Sequence, residues 1–187
     1  FEAAIEKFPK VIDKKTEYAL YEERDQVRMD YMQARLFAAS VVYEFAHAYD
    51  VKDPKHKELL LESAKRYEKI NERWRQYVAG LFALMWAGRS YQEAGERKKA
   101  LGLYNELLNL EAAGDELVSS LVAQTLRLAI SCWIHESEKQ YDEAIKQGDA
   151  WVDKTKNDKT VDGLGVHWML CEANYLKAQA MKPGDKK

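Results

Sequence analysis

Two pairs of residues in this chain have the spacing of metal ligands on one helical face. Glu44 and His47, in "EFAH", stand three residues apart, the carboxylate–imidazole half of a di-metal centre in a four-helix bundle. A complete centre needs a second such pair and further glutamates on other helices. His56, His135 and His167 supply no second pair, so Glu44 and His47 are expected to be a partly exposed helical pair. Cys132 and His135, in "CWIH", also share a face. They would bind metal only if another helix brought Cys171 and His167 alongside, and a disulfide between Cys132 and Cys171 needs the same adjacency. A buried cysteine otherwise packs as a small apolar side chain, and that is the reading adopted here. No Ser/His/Asp order, phosphate-cradling glycine loop or HExxH occurs. Carboxylate pairs such as Glu22-Glu23 fall on solvated helix faces. The chain is therefore expected to be no enzyme and to hold no metal and no cofactor. The competing reading is a helical metal protein or enzyme using Glu44 and His47, or Cys132 and His135.

The elements that would carry these residues follow from composition. Of 187 residues, 47% are apolar and 32% charged, a mixture suited to amphipathic helices with wet outer faces. Only 9 glycines and 3 prolines interrupt it. With 29 basic and 31 acidic residues interspersed, the net charge of -2 leaves no electrostatic footprint for nucleic acid or an anionic surface. No apolar run approaches the roughly 20 residues that span a bilayer. The chain opens on Phe1 without an initiator methionine, and its first residues are not a signal peptide. It is thus expected to be an excised piece of a longer protein, its compartment and oligomeric state open.

Residues 16–49 lack Gly and Pro and carry apolar residues at three- and four-residue steps, which predicts helix in one rod or two. Asp53-Pro54 pairs an N-cap with proline at the first helical position and opens a helix to about Asn71. Further helices are expected from Trp74 to Ala94, stopped by Gly95, from Lys98 to Leu110, from Asp115 to Lys139, and from Tyr141 to Val152. "DKTKNDKTVDGLG" reads as a polar loop, residues 166–181 as a last helix, and 183–187 as a tail. No segment alternates as a strand would. The fold class is all-α.

An internal echo organises these helices. "FEAAI", "RKKAL" and "YDEAI" each place alanine before a long aliphatic residue, at Ala4, Ala100 and Ala144. Tyr49, Tyr91, His135 and Tyr175 follow at intervals of 42, 44 and 40 residues. Such periods mark stacked helix pairs. Two antiparallel helices approach closely only where side chains nearly vanish, so Gly88 and Ala100 are expected to form the contact, with Leu84, Tyr91 and Tyr104 filling beside it. Residues 84–107 resemble a tetratricopeptide repeat through Leu84, Ala87-Gly88, Tyr91, Gly95, Ala100 and Tyr104, although Leu107 replaces the final small residue. Residues 128–151 match in part, with Cys132, His135, Gly148 and Trp151 at substituted positions. Trp168, Cys171 and Tyr175 resemble a further first helix, and residues 1–12 a second helix that Pro9 would kink. The intervals exceed the family's repeat of about 34 residues.

The resemblance implies a right-handed α-α superhelix of antiparallel helix pairs. One domain over residues 1–182 would hold about three to four pairs with incomplete ends. It further implies a non-enzymatic scaffold that takes a peptide or partner protein in a concave groove lined by the first helices, with no nucleic acid and no membrane insertion. Projection of those helices places Met85, Arg89, Gln92, Trp133, Glu136, Met169 and Lys177 in the groove. Arg89 would grip a carboxylate, Gln92 a peptide backbone and Trp133 an apolar anchor. Trp74, Trp151 and Trp168 are expected to pack between repeats, while Trp86 and Trp133 border the groove. A spacer within a multidomain protein is the alternative role.

Overall fold

Helices account for every regular element of the computed structural model, which describes residues 2–110, 115–156 and 158–181. They are α1 (Glu2–Ile5), α2 (Tyr18–Ala46), α3 (Pro54–Trp74), α4 (Val78–Glu93), α5 (Arg97–Leu108), α6 (Glu116–Trp133), α7 (Tyr141–Thr155) and α8 (Val161–Ala180). The all-α expectation holds. Among the described residues no helix is long and apolar enough to cross a membrane. The expected tail at 183–187 lies outside the described residues, as does Gly114 before α6.

Most ends obey their local signals. Asp53 accepts a hydrogen bond from Lys55 N at 2.8 Å and Pro54 opens α3. Asp115 caps α6 by accepting from Leu117 N and Val118 N at 2.9 and 3.1 Å. Gly95 follows α4 with φ +84° and donates to Gln92 O, the left-handed exit that glycine allows without strain.

Several boundaries differ from expectation: α3 runs on to Trp74, so α4 starts at Val78 rather than at Trp74. α1 stops at Ile5 rather than running to residue 12, because Pro9 cannot donate to the Ile5 carbonyl and its ring would clash there. Residues 18–46 form one unbroken helix, the single-rod alternative of the two expected. α6 ends at Trp133, six residues short of Lys139. There the chain turns: Gln140 N donates to Trp133 O at 2.8 Å, and Lys139 takes φ +52°. α8 begins at Val161, inside the stretch read as loop.

The helices pack in a regular order. Each of α2 to α7 touches the next in sequence, and α2, α4, α6 and α8 also touch one another in succession. Among the described residues the backbones of α3 and α5, and of α5 and α7, stand farther apart, and side chains bridge the gap, as where Lys99 of α5 lies 3.5 Å from Glu68 of α3. The α4–α5 contact is the one read from the sequence. Ala87, Ala100 and Tyr104 are fully buried and Leu84 and Tyr91 nearly so, and a Cβ at Gly88 would run into the Tyr104 ring. Closeness at that point depends on the missing side chain. Gly148 repeats the device, its α-carbon facing Leu170 and Ile130. Buried polar groups tie neighbours together. Ser63 Oγ donates to Ala39 O across α3 and α2, and Asn71 Nδ2 to Gly80 O across α3 and α4.

Candidate functional site

Two depressions lie along the row of α2, α4, α6 and α8, and the Trp86 side chain lines both. The first encloses about 280 Å³ and is walled by Met85, Trp86 and Arg89 of α4, Gln124, Arg127, Leu128 and Ser131 of α6, and Met169 of α8. Its floor is apolar, since Met85 and Leu128 pack among Leu84, Leu107 and Leu121. Its polar rim holds two guanidinium groups.

Arg89 is held from below. Its Nε donates to Glu93 Oε1 at 3.0 Å, and the guanidinium carbon lies 5.0 Å from the Trp86 centroid and 5.7 Å from that of Tyr43, within cation–π range. Burial pulls the Arg89 guanidinium down, but the hydrogen bond to Glu93 and the neighbouring charges outweigh it and raise its pKa overall. Arg89 is charged at any working pH. Glu93 also accepts from Tyr43 Oη at 2.6 Å and meets His47 Nε2 at 3.0 Å. Burial first, and then that bond to Glu93, raise the Tyr43 phenol, so Tyr43 stays a donor. Arg127 is held more loosely. The nearest carboxylate oxygen, on Asp162, lies 4.0 Å away, beyond hydrogen-bond length, and Asp162 instead accepts from Ser120 at 2.5 Å and from Gln124 at 3.2 Å.

Of the seven residues projected into a groove, Met85, Arg89 and Met169 meet at this depression. The other four do not join them. Gln92 is committed at both ends of its amide: Nε2 donates to Ser131 Oγ at 2.7 Å and Oε1 accepts from Tyr104 Oη at 2.9 Å. It latches α4, α5 and α6 together and cannot also grip a peptide backbone without breaking that latch. Trp133 is buried in the core beside Ala129 and Ile130, so the expected apolar anchor is a packing residue. Glu136 is exposed in the turn after α6. Lys177 reaches α7, with its ammonium 2.6 Å from Asp142 Oδ1.

The two misses at the end of α6, Trp133 and Glu136, share one cause. The echo from Tyr91 to His135 sets a step of 44 residues, whereas the α6 partner of Gln92 is Ser131, 39 residues on. Projection by 44 goes five residues too far, about 140° around a helix of 3.6 residues per turn. Arg127 and Gln124, which do face the depression, were passed over for that reason. Their signal was the buried run Leu121, Leu126, Ala129 and Ile130 on the opposite side of α6. The echoed positions themselves differ in surroundings: Tyr91 is buried, Tyr49 and His135 half-buried, and Tyr175 exposed.

The metal-ligand pairs of the sequence serve other ends. His47 meets Tyr43 O and Glu93 rather than Glu44. His135 Nε2 lies 2.7 Å from Arg97 and Nδ1 lies 3.0 Å from Ser137 Oγ. Cys132 is buried and Cys171 exposed, both free, and burial pushes the Cys132 thiol up to about 12, well away from thiolate reactivity. No group of three His, Cys, Asp or Glu able to hold a metal ion occurs among the described residues. Trp86 borders the site as expected. Trp74 and Trp151 are buried as expected, while Trp168 is 72% exposed rather than packed.

No protein-family model matches the chain, and neither a curated protein nor a solved structure does.

Proposed function

We propose that the chain is a non-enzymatic interaction scaffold of tetratricopeptide type. Its helix pairs α2–α3, α4–α5 and α6–α7, followed by α8, form a superhelix that holds an extended peptide segment of a partner protein. The observation that carries this reading is the contact order. The backbones of α2, α4, α6 and α8 approach in succession, while those of α3, α5 and α7 stand farther apart and are bridged by side chains such as Lys99 and Glu68. A double row in contact on one side and spread on the other bends toward the contacting side. On this reading both depressions lie on the inner face, where an elongated ligand would meet several helices at once.

The chemistry of the first depression narrows the ligand. Two guanidiniums stand over methionine and leucine side chains, a pairing that suits a carboxylate beside an apolar residue. Arg127 is free to make such bonds because Asp162 stands off at 4.0 Å. The terminal nitrogens of Arg89 likewise have no hydrogen-bond partner among the described residues. Met85 and Met169 adapt to varied side chains. The histidines and the buried cysteine are engaged in ties and packing, which supports a binding role over a catalytic one.

Selection of a random peptide library on the wild-type chain, repeated on Arg89→Ala/Arg127→Ala, tests the reading. The wild type is expected to enrich acidic–apolar peptides, and the double variant to bind them at least about tenfold more weakly, since each charge-assisted bond contributes about 1.5–3 kcal/mol. Equal affinity for both proteins would place the ligand elsewhere.

A further inference from the structure

The second depression, at the α2 end of the row, has a different chemistry. We propose that it is a binding site for a small quaternary ammonium ion free in solution, of the choline type. Five aromatic side chains from three helices wall it, Phe37 and Tyr43 of α2, Tyr67 of α3, and Phe82 and Trp86 of α4, with the Glu44 carboxylate at the rim. It encloses about 370 Å³, toward the small end of the roughly 300–1,000 Å³ usual for small-molecule sites. The Trp86 and Tyr67 rings lie 24° from parallel with centroids 6.3 Å apart, and Tyr43 meets Trp86 edge to face at 5.5 Å. Rings facing a shared space from several sides present their negative π clouds to a cation.

The charges around this space favour a positive guest. No lysine or arginine lines it. Arg89, which sits against Tyr43 and Trp86 from the neighbouring depression, has its charge matched by Glu93 at 3.0 Å. Glu44, by contrast, is exposed and has no ion pair and no side-chain hydrogen bond among the described residues, so its carboxylate is open to a ligand. Its field reaches into the walls: the Tyr67 phenol is pushed up to about 12, by burial first and by Glu44 second.

The same inventory says which cation. Of the lining side chains with an acceptor oxygen, Glu44 and Tyr67 have no side-chain hydrogen bond among the described residues, whereas Ser40 Oγ donates to Phe37 O at 2.9 Å and Tyr43 Oη to Glu93. A primary ammonium has three N–H donors and would leave water bonds unreplaced in such an aromatic enclosure. A tetra-alkyl ammonium has no N–H, sheds water readily, and needs only rings and one counter-charge. The inference does not rest on the peptide reading, because Arg127 lies outside this depression and its removal leaves the aromatic walls intact.

Titration of the full chain with choline chloride at constant ionic strength, followed by NMR of the tryptophan indole resonances, tests the site. Saturable displacement of the Trp86 resonance is expected. The uncharged carbon isostere 3,3-dimethylbutanol should bind at least about tenfold more weakly, and Glu44→Gln should weaken choline about tenfold. Phe37→Leu should weaken it several-fold. Phe37 is 61% exposed, so neither substitution removes core packing, and an unchanged thermal melt checks that. Equal binding of the isostere would overturn the proposal, as would the absence of saturation. Binding of Nε-trimethyllysine amide without binding of choline would overturn the free ion in favour of a peptide-borne group.

Discussion

Two glycines show how far a residue's effect depends on what it faces. Gly88 and Gly102 both sit in helices, yet a methyl group at Gly88 would strike the Tyr104 ring, while at Gly102 nothing lies within 4 Å. Gly88→Ala forces a fully buried aromatic ring to move and should destabilise the chain by about 1–3 kcal/mol. Gly102→Ala, in exposed helix, should stabilise it by about 0.5–1 kcal/mol through helix propensity alone. Urea unfolding of the two variants beside the wild type measures both, and opposite shifts in midpoint are the expected result. The same shift for both would mean that the α4–α5 approach is looser than the packing describes. Gly88 thus positions the site indirectly. Tyr104 fills the space that Gly88 leaves and donates to Gln92, which in turn bonds Ser131 on the wall of the Arg89 depression.

At the scale of elements, the start of α8 shows where local reading works and where it does not. Val161 to Gly165 looks like loop because it is rich in Gly and Asp, and glycine usually punctuates structure. Here Thr160 Oγ1 accepts from Gly163 N at 3.1 Å as an N-cap, and the glycines answer to neighbours. A Cβ at Gly163 would meet Asp158, and one at Gly165 would meet Arg127 of α6. Only tertiary contact reveals that need. Thr160→Ala should cost about 1 kcal/mol and speed hydrogen exchange in the first turn of α8 while leaving α4 unchanged. The caps at Asp53 and Asp115, the glycine exit at Gly95 and the α4–α5 seam were all legible because each is a signal confined to one stretch of chain. The end of α6 and the face it turns to the depression were not. The turn at 134–139 depends on the return bond from Gln140 N to Trp133 O, and the face of α6 that lines the depression depends on how far one helix is offset against the next. Sequence periodicity carries neither.

Among the described residues the molecule is built from near neighbours, with helices touching those one or two places away in the chain. Stability in such an array is a sum of unit and nearest-interface contributions rather than one global core, so it should vary along the row. Among the described residues α4 packs against α2, α3, α5 and α6, whereas α8 packs against α6 and α7 and α1 against α2. The outward face of α8 also leaves Leu164, Trp168 and Tyr175 exposed, surface whose burial contributes nothing to holding that helix. Native-state hydrogen exchange is therefore expected to give the slowest amides in α4 and α5, and to show α8 opening in a smaller, separate step at low denaturant. This gradient bears on binding. The Arg89 depression spans α4, α6 and α8, so a peptide lodged there ties the least stable helix to the most stable one. A selected peptide should then slow exchange in α8 more than in α4, because a ligand that binds only the closed arrangement lowers the population of the open one. Equal protection in both helices would show that α8 and α4 already open together, and a single cooperative core would then have to replace the chain of nearest-neighbour interfaces.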